Sequence, residues 1–216
     1  MPPASILQQI DPVARLAAAS RHALAVGILF LISNFPGLAA SSPSSLILIE
    51  TTAGMIEAEL FPESAPATVA NFLHYVGAGA YTGGRFHRTV KTAPDNQPAN
   101  AVKIDVIQGG MNPEFQGDHR PPVALERTRD TRLNHLDGTL SMARAGPDTA
   151  TSDFFICLGA QPELDFGGKR NPDGQGFAAF GRVTRGMEVV REIHAAPADG
   201  QSLTPPVRIL KIVRLP

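Results

Sequence analysis

Only two segments of this chain carry the apolar spacing of a helix, and they lie far apart. ATVANFLHYVGAG begins at Ala67 and GMEVVREIHAA begins at Gly186. In the first, Val69, Phe72, Leu73 and Val76 fall on one stripe, and Gly77 and Gly79 close it. In the second, Met187, Val190 and Ile193 share a face. The rest breaks into short strand-like runs separated by turns. SLILIETTAGMIEAELF reads as two strands about a Thr-Thr-Ala-Gly turn. RFHRTV, VKIDVIQGG, GTLSMARA, SDFFICLG, FAAFGRV and VRILKIVRL follow. Parallel strands need a crossover between them, usually a helix, and two helices cannot serve about eight strands. The pattern therefore predicts a mainly β domain, an antiparallel barrel, closed or nearly so, plugged by two helices.

Composition narrows the function. The 216 residues are 43% hydrophobic and 18% charged, which suits one globular domain plus an extension. A formal net charge of −1 argues against a surface built to match nucleic-acid phosphates. The single cysteine, Cys157, lies in the apolar run FFICLG and reads as a core residue, so neither an intrachain disulfide nor a thiolate zinc site is expected. The N-terminus stands apart. Arg15, Arg21 and His22 precede the apolar run ALAVGILFLIS, and NFPGLAASSPSS follows. That is the order of a secretory signal, with Gly37-Leu38-Ala39 placing the cut after Ala39 and Ala40 as the alternative. The run is shorter than the roughly 20 residues of a membrane span. The expected organisation is a signal at residues 1–39, a short linker at 40–45 and one domain at 46–216, periplasmic or secreted. The alternative is a retained N-terminal anchor in the membrane. A monomer is the default.

Familiar chemistry finds no foothold. GAGAYTGG follows a helix where a nucleotide loop would open one, and its spacing fits neither dinucleotide nor P-loop fingerprints. His74, His87, His119, His135 and His194 are scattered without paired ligand spacing, and no metal is expected. No G-x-S-x-G elbow presents a nucleophile. Two polar residues on strand faces remain. By strict alternation Phe86, Arg88 and Val90 share one face of RFHRTV, while Ile104, Val106 and Gln108 share one face of KIDVIQGG. An arginine sealed in a core is costly without a counter-charge. Either a salt bridge across neighbouring strands satisfies Arg88, or that face lines an apolar groove on the outside of the barrel.

FHR, IQGG, GTLSMARAGPDTATSDFFIC and FGRVTRGMEVV, in that order and spacing, resemble the cyclophilin family of peptidyl-prolyl cis–trans isomerases. The resemblance runs from about Leu46 to the C-terminus. It implies an eight-stranded antiparallel barrel capped by two α-helices, with the substrate groove on its outer surface, and it implies no cofactor. Carried over by position, Arg88 matches the family's catalytic arginine and Gln108 its groove glutamine. Ala143 and the backbone of Arg144 match the segment that pairs with an extended substrate. Phe155 matches the floor of the proline pocket and Leu164 a wall, with Val106 and Phe177 beside them. Proline-containing polypeptides are the implied substrates. The chain departs from the family pattern at Asp105 and Val106, where Phe-Met is usual, at Arg144 for asparagine, at Glu163 for tryptophan and at Phe177 for histidine. It also inserts APDNQPAN between Arg88 and Gln108. These departures keep a second reading open, a barrel that binds proline-containing or unfolded segments without turnover.

Overall fold

The computed structural model describes residues 45–216, and the expectations for the signal segment and most of the linker lie outside them. The chain opens with the expected hairpin. β1 (Leu46–Thr51) and β2 (Gly54–Leu60) pair antiparallel with Ile47 opposite Ala58 and Ile49 opposite Ile56, all four buried. α1 (Pro66–Gly77) starts on a proline, whose missing N–H is an orphan at that position anyway. The carboxylate of Glu126 accepts from the Ala67 and Thr68 amides at 3.1 and 2.8 Å, satisfying donors that the first turn cannot. Val69, Phe72, Leu73 and Val76 turn toward the core as their spacing requires.

β3 (Arg85–Val90), β4 (Val106–Gly110), β5 (Thr139–Met142), β6 (Phe154–Cys157) and β7 (Ala179–Arg185) follow, with the one-turn α2 (Thr128–Thr131) between β4 and β5. α3 (Met187–Ala195) buries Val189, Val190 and Ile193. The two-residue β8 (Ala198–Asp199) folds back on the long β9 (Ser202–Arg214). The order is β1-β2-β7-β5-β6-β4-β3-β9, and β9 pairs again with β1. Eight antiparallel strands therefore close a barrel, with β8 appended to β9. β9 can serve two neighbours because it is long: its first half pairs with β3 and its second with β1. The barrel holds one large apolar core, to which both long helices contribute.

A second, smaller apolar cluster lies apart from that core. Val90, Ile104, Val106, Phe155, Cys157 and Leu164 form it, with Ala143 and Phe177 packed against it. Cys157 is buried there, as expected, and burial pushes its thiol pKa up.

The alternation expected along RFHRTV breaks at its centre. Phe86 pairs with Gly109 and Arg88 with Gln108, so two steps on β3 match one on β4, and His87 is the extra residue of a bulge. The bulge resets the faces. Phe86 belongs to the interior core, whereas Val90 belongs to the outer cluster, so Phe86 does not share Arg88's face. Thr89 correspondingly turns inward, fully buried, and its hydroxyl donates to the His194 carbonyl at 2.9 Å.

Candidate active site

The outer cluster is the floor of an open groove of about 510 Å³. β4 supplies Val106 and Gln108 from alternate positions, and β6 supplies Phe155 directly opposite Gln108. β3 supplies Arg88, likewise opposite Gln108. Ala143 and Arg144 come from the segment just after β5, Leu164 from a 3-10 turn (Pro162–Leu164), and Phe177 from the strand leading into β7. All eight residues singled out from the sequence line this one groove.

Arg88 is half-buried, and burial lowers its pKa without removing the charge of a guanidinium. Its Nη1 donates to Gln108 Oε1 at 2.9 Å and its Nε to Gln201 Oε1 at 2.8 Å. Neither partner is a carboxylate, so the cross-strand salt bridge is not what holds Arg88. Gln108 Nε2 in turn points to Asp153 Oδ2 at 3.3 Å, which fixes its amide with the oxygen toward Arg88. Gln201 Nε2 donates to the Asn96 carbonyl at 3.1 Å, and Asn96 Nδ2 donates to the carbonyls of Thr89 and Gly200 at 2.9 and 3.0 Å. The inserted loop thus braces the turn that carries Gln201.

Phe155 is held between rings. His135 stacks on it at 5.9 Å and 15°, and Phe177 meets it edge-on at 5.4 Å and 90°. His135 is buried and fully engaged: Nδ1 lies 2.7 Å from Asp165 Oδ1 and Nε2 2.9 Å from Ser141 Oγ. The Arg144 side chain lies back over Phe177, 4.9 Å above the ring, and forks onto both oxygens of Asp173 at 2.8 and 2.9 Å. That hydrogen bonding holds the Asp173 carboxyl below its ordinary range. The Ala143 amide donates to the Asp153 carbonyl at 2.9 Å, which ties the groove's backbone edge to β6.

The departures from the family pattern have structural work of their own. Asp105 does not line the groove. It accepts from the amide and hydroxyl of Thr92, anchoring the inserted loop, and lies 3.5 Å from His194 Nε2. Glu163 accepts from the Lys169 amide at 2.8 Å and shapes the loop after it. Four further residues at or behind the groove escape a sequence reading: Asp153, Gln201, His135 and Arg170. Arg170 lies in the turn-rich stretch FGGKRNPDGQG, Gln201 in a tight turn and His135 in the irregular stretch RLNHLDG, with no periodicity to mark any of them. Among the described residues no group of three or more His, Cys, Asp or Glu is arranged to hold a metal ion.

A groove floored by apolar rings and headed by a guanidinium held on amides matches known proteins along the whole domain. The family model for cyclophilin type peptidyl-prolyl cis–trans isomerases matches residues 46–214. The chain belongs to this family. The activity of that membership is peptidyl-prolyl cis–trans isomerisation. Peptidyl-prolyl cis-trans isomerase A of Dickeya dadantii is 38% identical over 173 residues, covering 79% of this chain and 82% of that protein. An Arabidopsis thaliana peptidyl-prolyl cis-trans isomerase is 34% identical over 172 residues, covering 78% of this chain and 90% of that protein. In fold, the chain is similar to a crystal structure of a Cryptosporidium parvum cyclophilin type isomerase in the presence of the dipeptide Ala-Pro. The TM-score is 0.63 at 24% identity, covering 79% of this chain and 99% of the other.

Proposed function

We propose that this cyclophilin-type domain accelerates X–Pro bond rotation in exported polypeptides, with Arg88 as the catalytic group. The observation that carries the reading is the hold on Arg88: a charged fork fixed by two amide oxygens, beside a notch of Phe155, Leu164, Val106 and Phe177. Amide resonance sets a rotation barrier of about 18–20 kcal/mol. Nothing covalent has to form. The protein needs only to favour the twisted amide over the planar one.

In the twisted state the prolyl nitrogen recovers a lone pair and accepts hydrogen bonds. Arg88 donates to that nitrogen, or to the adjacent carbonyl, from a half-buried position where the interaction is stronger than in water. The four apolar side chains hold the pyrrolidine ring by burial. Gln108 anchors the carbonyl side while the other side turns. Ala143 and the backbone of Arg144 take the extended peptide that precedes proline. Because the Ala143 amide is already engaged within the protein, Ala143 contributes its carbonyl.

Arg88→Ala should slow isomerisation of a proline test peptide at least tenfold, about 1.4 kcal/mol of barrier, with the fold intact by circular dichroism. Near-normal turnover in the variant rejects the role. Peptide binding without rate enhancement in the unaltered protein would favour a binding module. The export reading rests on the N-terminal sequence and on no described residue. N-terminal sequencing of the protein made in a cell that exports it should read a start near Ala40. An intact Met1 would remove the signal from the proposal.

A further inference from the structure

Three arginines line the groove, Arg88, Arg144 and Arg170. Arg144 is neutralised by its fork onto Asp173. Arg88 has its two glutamine oxygens, while Arg170 Nη1 donates to Gln97 Oε1 at 2.7 Å and to the Val102 carbonyl at 2.6 Å. Among the described residues neither forms an ion pair. Arg170 feels the charge of Arg88 as well as its own burial, and both lower its pKa.

The arrangement holding Arg170 in that position is specific. Gln97 is fully enclosed and uses its whole amide: Nε2 donates to the carbonyls of Lys91 and Ile104 at 3.1 and 2.7 Å, and Oε1 receives Arg170. Two separate loops therefore meet to hold a cation against a like charge, which costs free energy unless an anion arrives. Only one carboxylate lines the groove among the described residues, Asp153, and it is engaged beyond Gln108 by that glutamine and, at 3.8 Å, by His87.

We propose that Arg170, acting with Arg88, forms an anion subsite that takes the carboxylate of a substrate Asp or Glu at the first or second position after proline. The placement rests on the reading of the groove given above: Gln108 and Ala143 hold the peptide before proline, and Arg170, whose amide donates to the Glu163 carbonyl at 3.1 Å beside the pocket wall Leu164, is assigned to the residues after it. The loop inserted after Arg88 thereby makes the groove selective for acidic sequences.

The test uses proline peptides identical except for Glu, Gln or Lys at the first or second position after proline. Turnover is followed by NMR exchange and dissociation constants by calorimetry. At low salt the Glu peptide should exceed the Gln peptide in kcat/KM by about tenfold, with Lys below Gln, and added salt should compress the ratio. Arg170→Gln should bring the Glu/Gln ratio toward one. Asn100→Asp leaves Arg170 and its hold on Gln97 in place but sets a carboxylate on the groove wall, and should collapse the ratio too. A Glu/Gln ratio within about twofold of one at both positions, in rate and in affinity, overturns the subsite. So does an acidic preference that survives undiminished in both variants. If no peptide is turned over, the isomerase reading fails on its own, while the dissociation constants still decide the subsite.

Discussion

Gln201 offers the sharpest test of how Arg88 is aimed. Its side chain does not line the groove, yet its Oε1 accepts from Arg88 Nε at 2.8 Å. A hydrogen bond to a charged group contributes about 1.5–3 kcal/mol, and a half-exposed site belongs at the lower end. Gln201→Ala removes that hold and leaves the guanidinium on Gln108 alone, free to rotate about its own axis. If most of the lost orientation appears in the barrier, kcat should fall about fivefold to tenfold. KM should stay within about twofold, because nothing that meets the ground-state peptide has changed. Gln201→Glu keeps an acceptor at the same reach and should restore most of the rate on a neutral peptide. Arg88→Lys should be nearly as slow as Arg88→Ala, since an ammonium cannot satisfy two amide oxygens in one plane while presenting a further donor. The assay is proline-peptide exchange by NMR at several substrate concentrations. Unchanged kcat in Gln201→Ala, or a loss confined to KM, would refute the idea that orientation by Gln201 matters.

Phe155→Ala empties a position that is 5% exposed and enclosed by His135 and Phe177; we expect a loss of about 3 kcal/mol in urea unfolding together with loss of turnover. Phe155→Leu should recover most of the stability and little of the activity, separating the two effects. Asp173→Asn leaves the Arg144 guanidinium, whose side chain is 1% exposed, without its carboxylate, and should cost about 1–2 kcal/mol at pH 7 given that Asp173 itself is 30% exposed. The Asp173 pKa is lowered in the folded state, so its contribution is present above the unfolded value of about 3.9 and is lost as pH falls through the lower folded value. Unfolding curves of the two proteins should therefore begin to converge below about pH 4 and meet only below the folded Asp173 value.

The hairpin, both long helices and the strand count were legible because each rests on local periodicity. Ile47 and Ile49 alternate toward Ala58 and Ile56, and Val190 and Ile193 sit one turn apart. The groove was legible where it is built from strands, since Val106, Gln108 and Phe155 occupy positions that alternation and pairing fix. What the sequence concealed is what pairing geometry or loops decide. The bulge at His87 depends on how β3 registers against β4, and it alone separates Phe86 from Arg88. Gln201, Arg170 and Asp153 lie in turns or at strand ends, where no period carries information. His135 gains its place by stacking on a ring supplied by a distant strand.

The choice of partners for Arg88 bears on the catalytic role proposed for it. A carboxylate at the position of Gln108 or Gln201 would hold the guanidinium more strongly, yet it would also offset the charge that the proposed mechanism brings to the prolyl nitrogen. Amide oxygens fix direction while leaving the full charge in place. The cost is a desolvated cation, visible in the lowered pKa of Arg88, and the barrel's outer surface keeps that cost small because the groove stays open to water. Replacing both glutamines by leucine would relieve the aiming without touching the charge, whereas replacing either by glutamate would keep the aim and spread the charge. A guanidinium that works by oriented donation should suffer more from the first change than from the second. The opposite ranking would mean that net charge in the groove, and not the aim of Arg88, lowers the barrier.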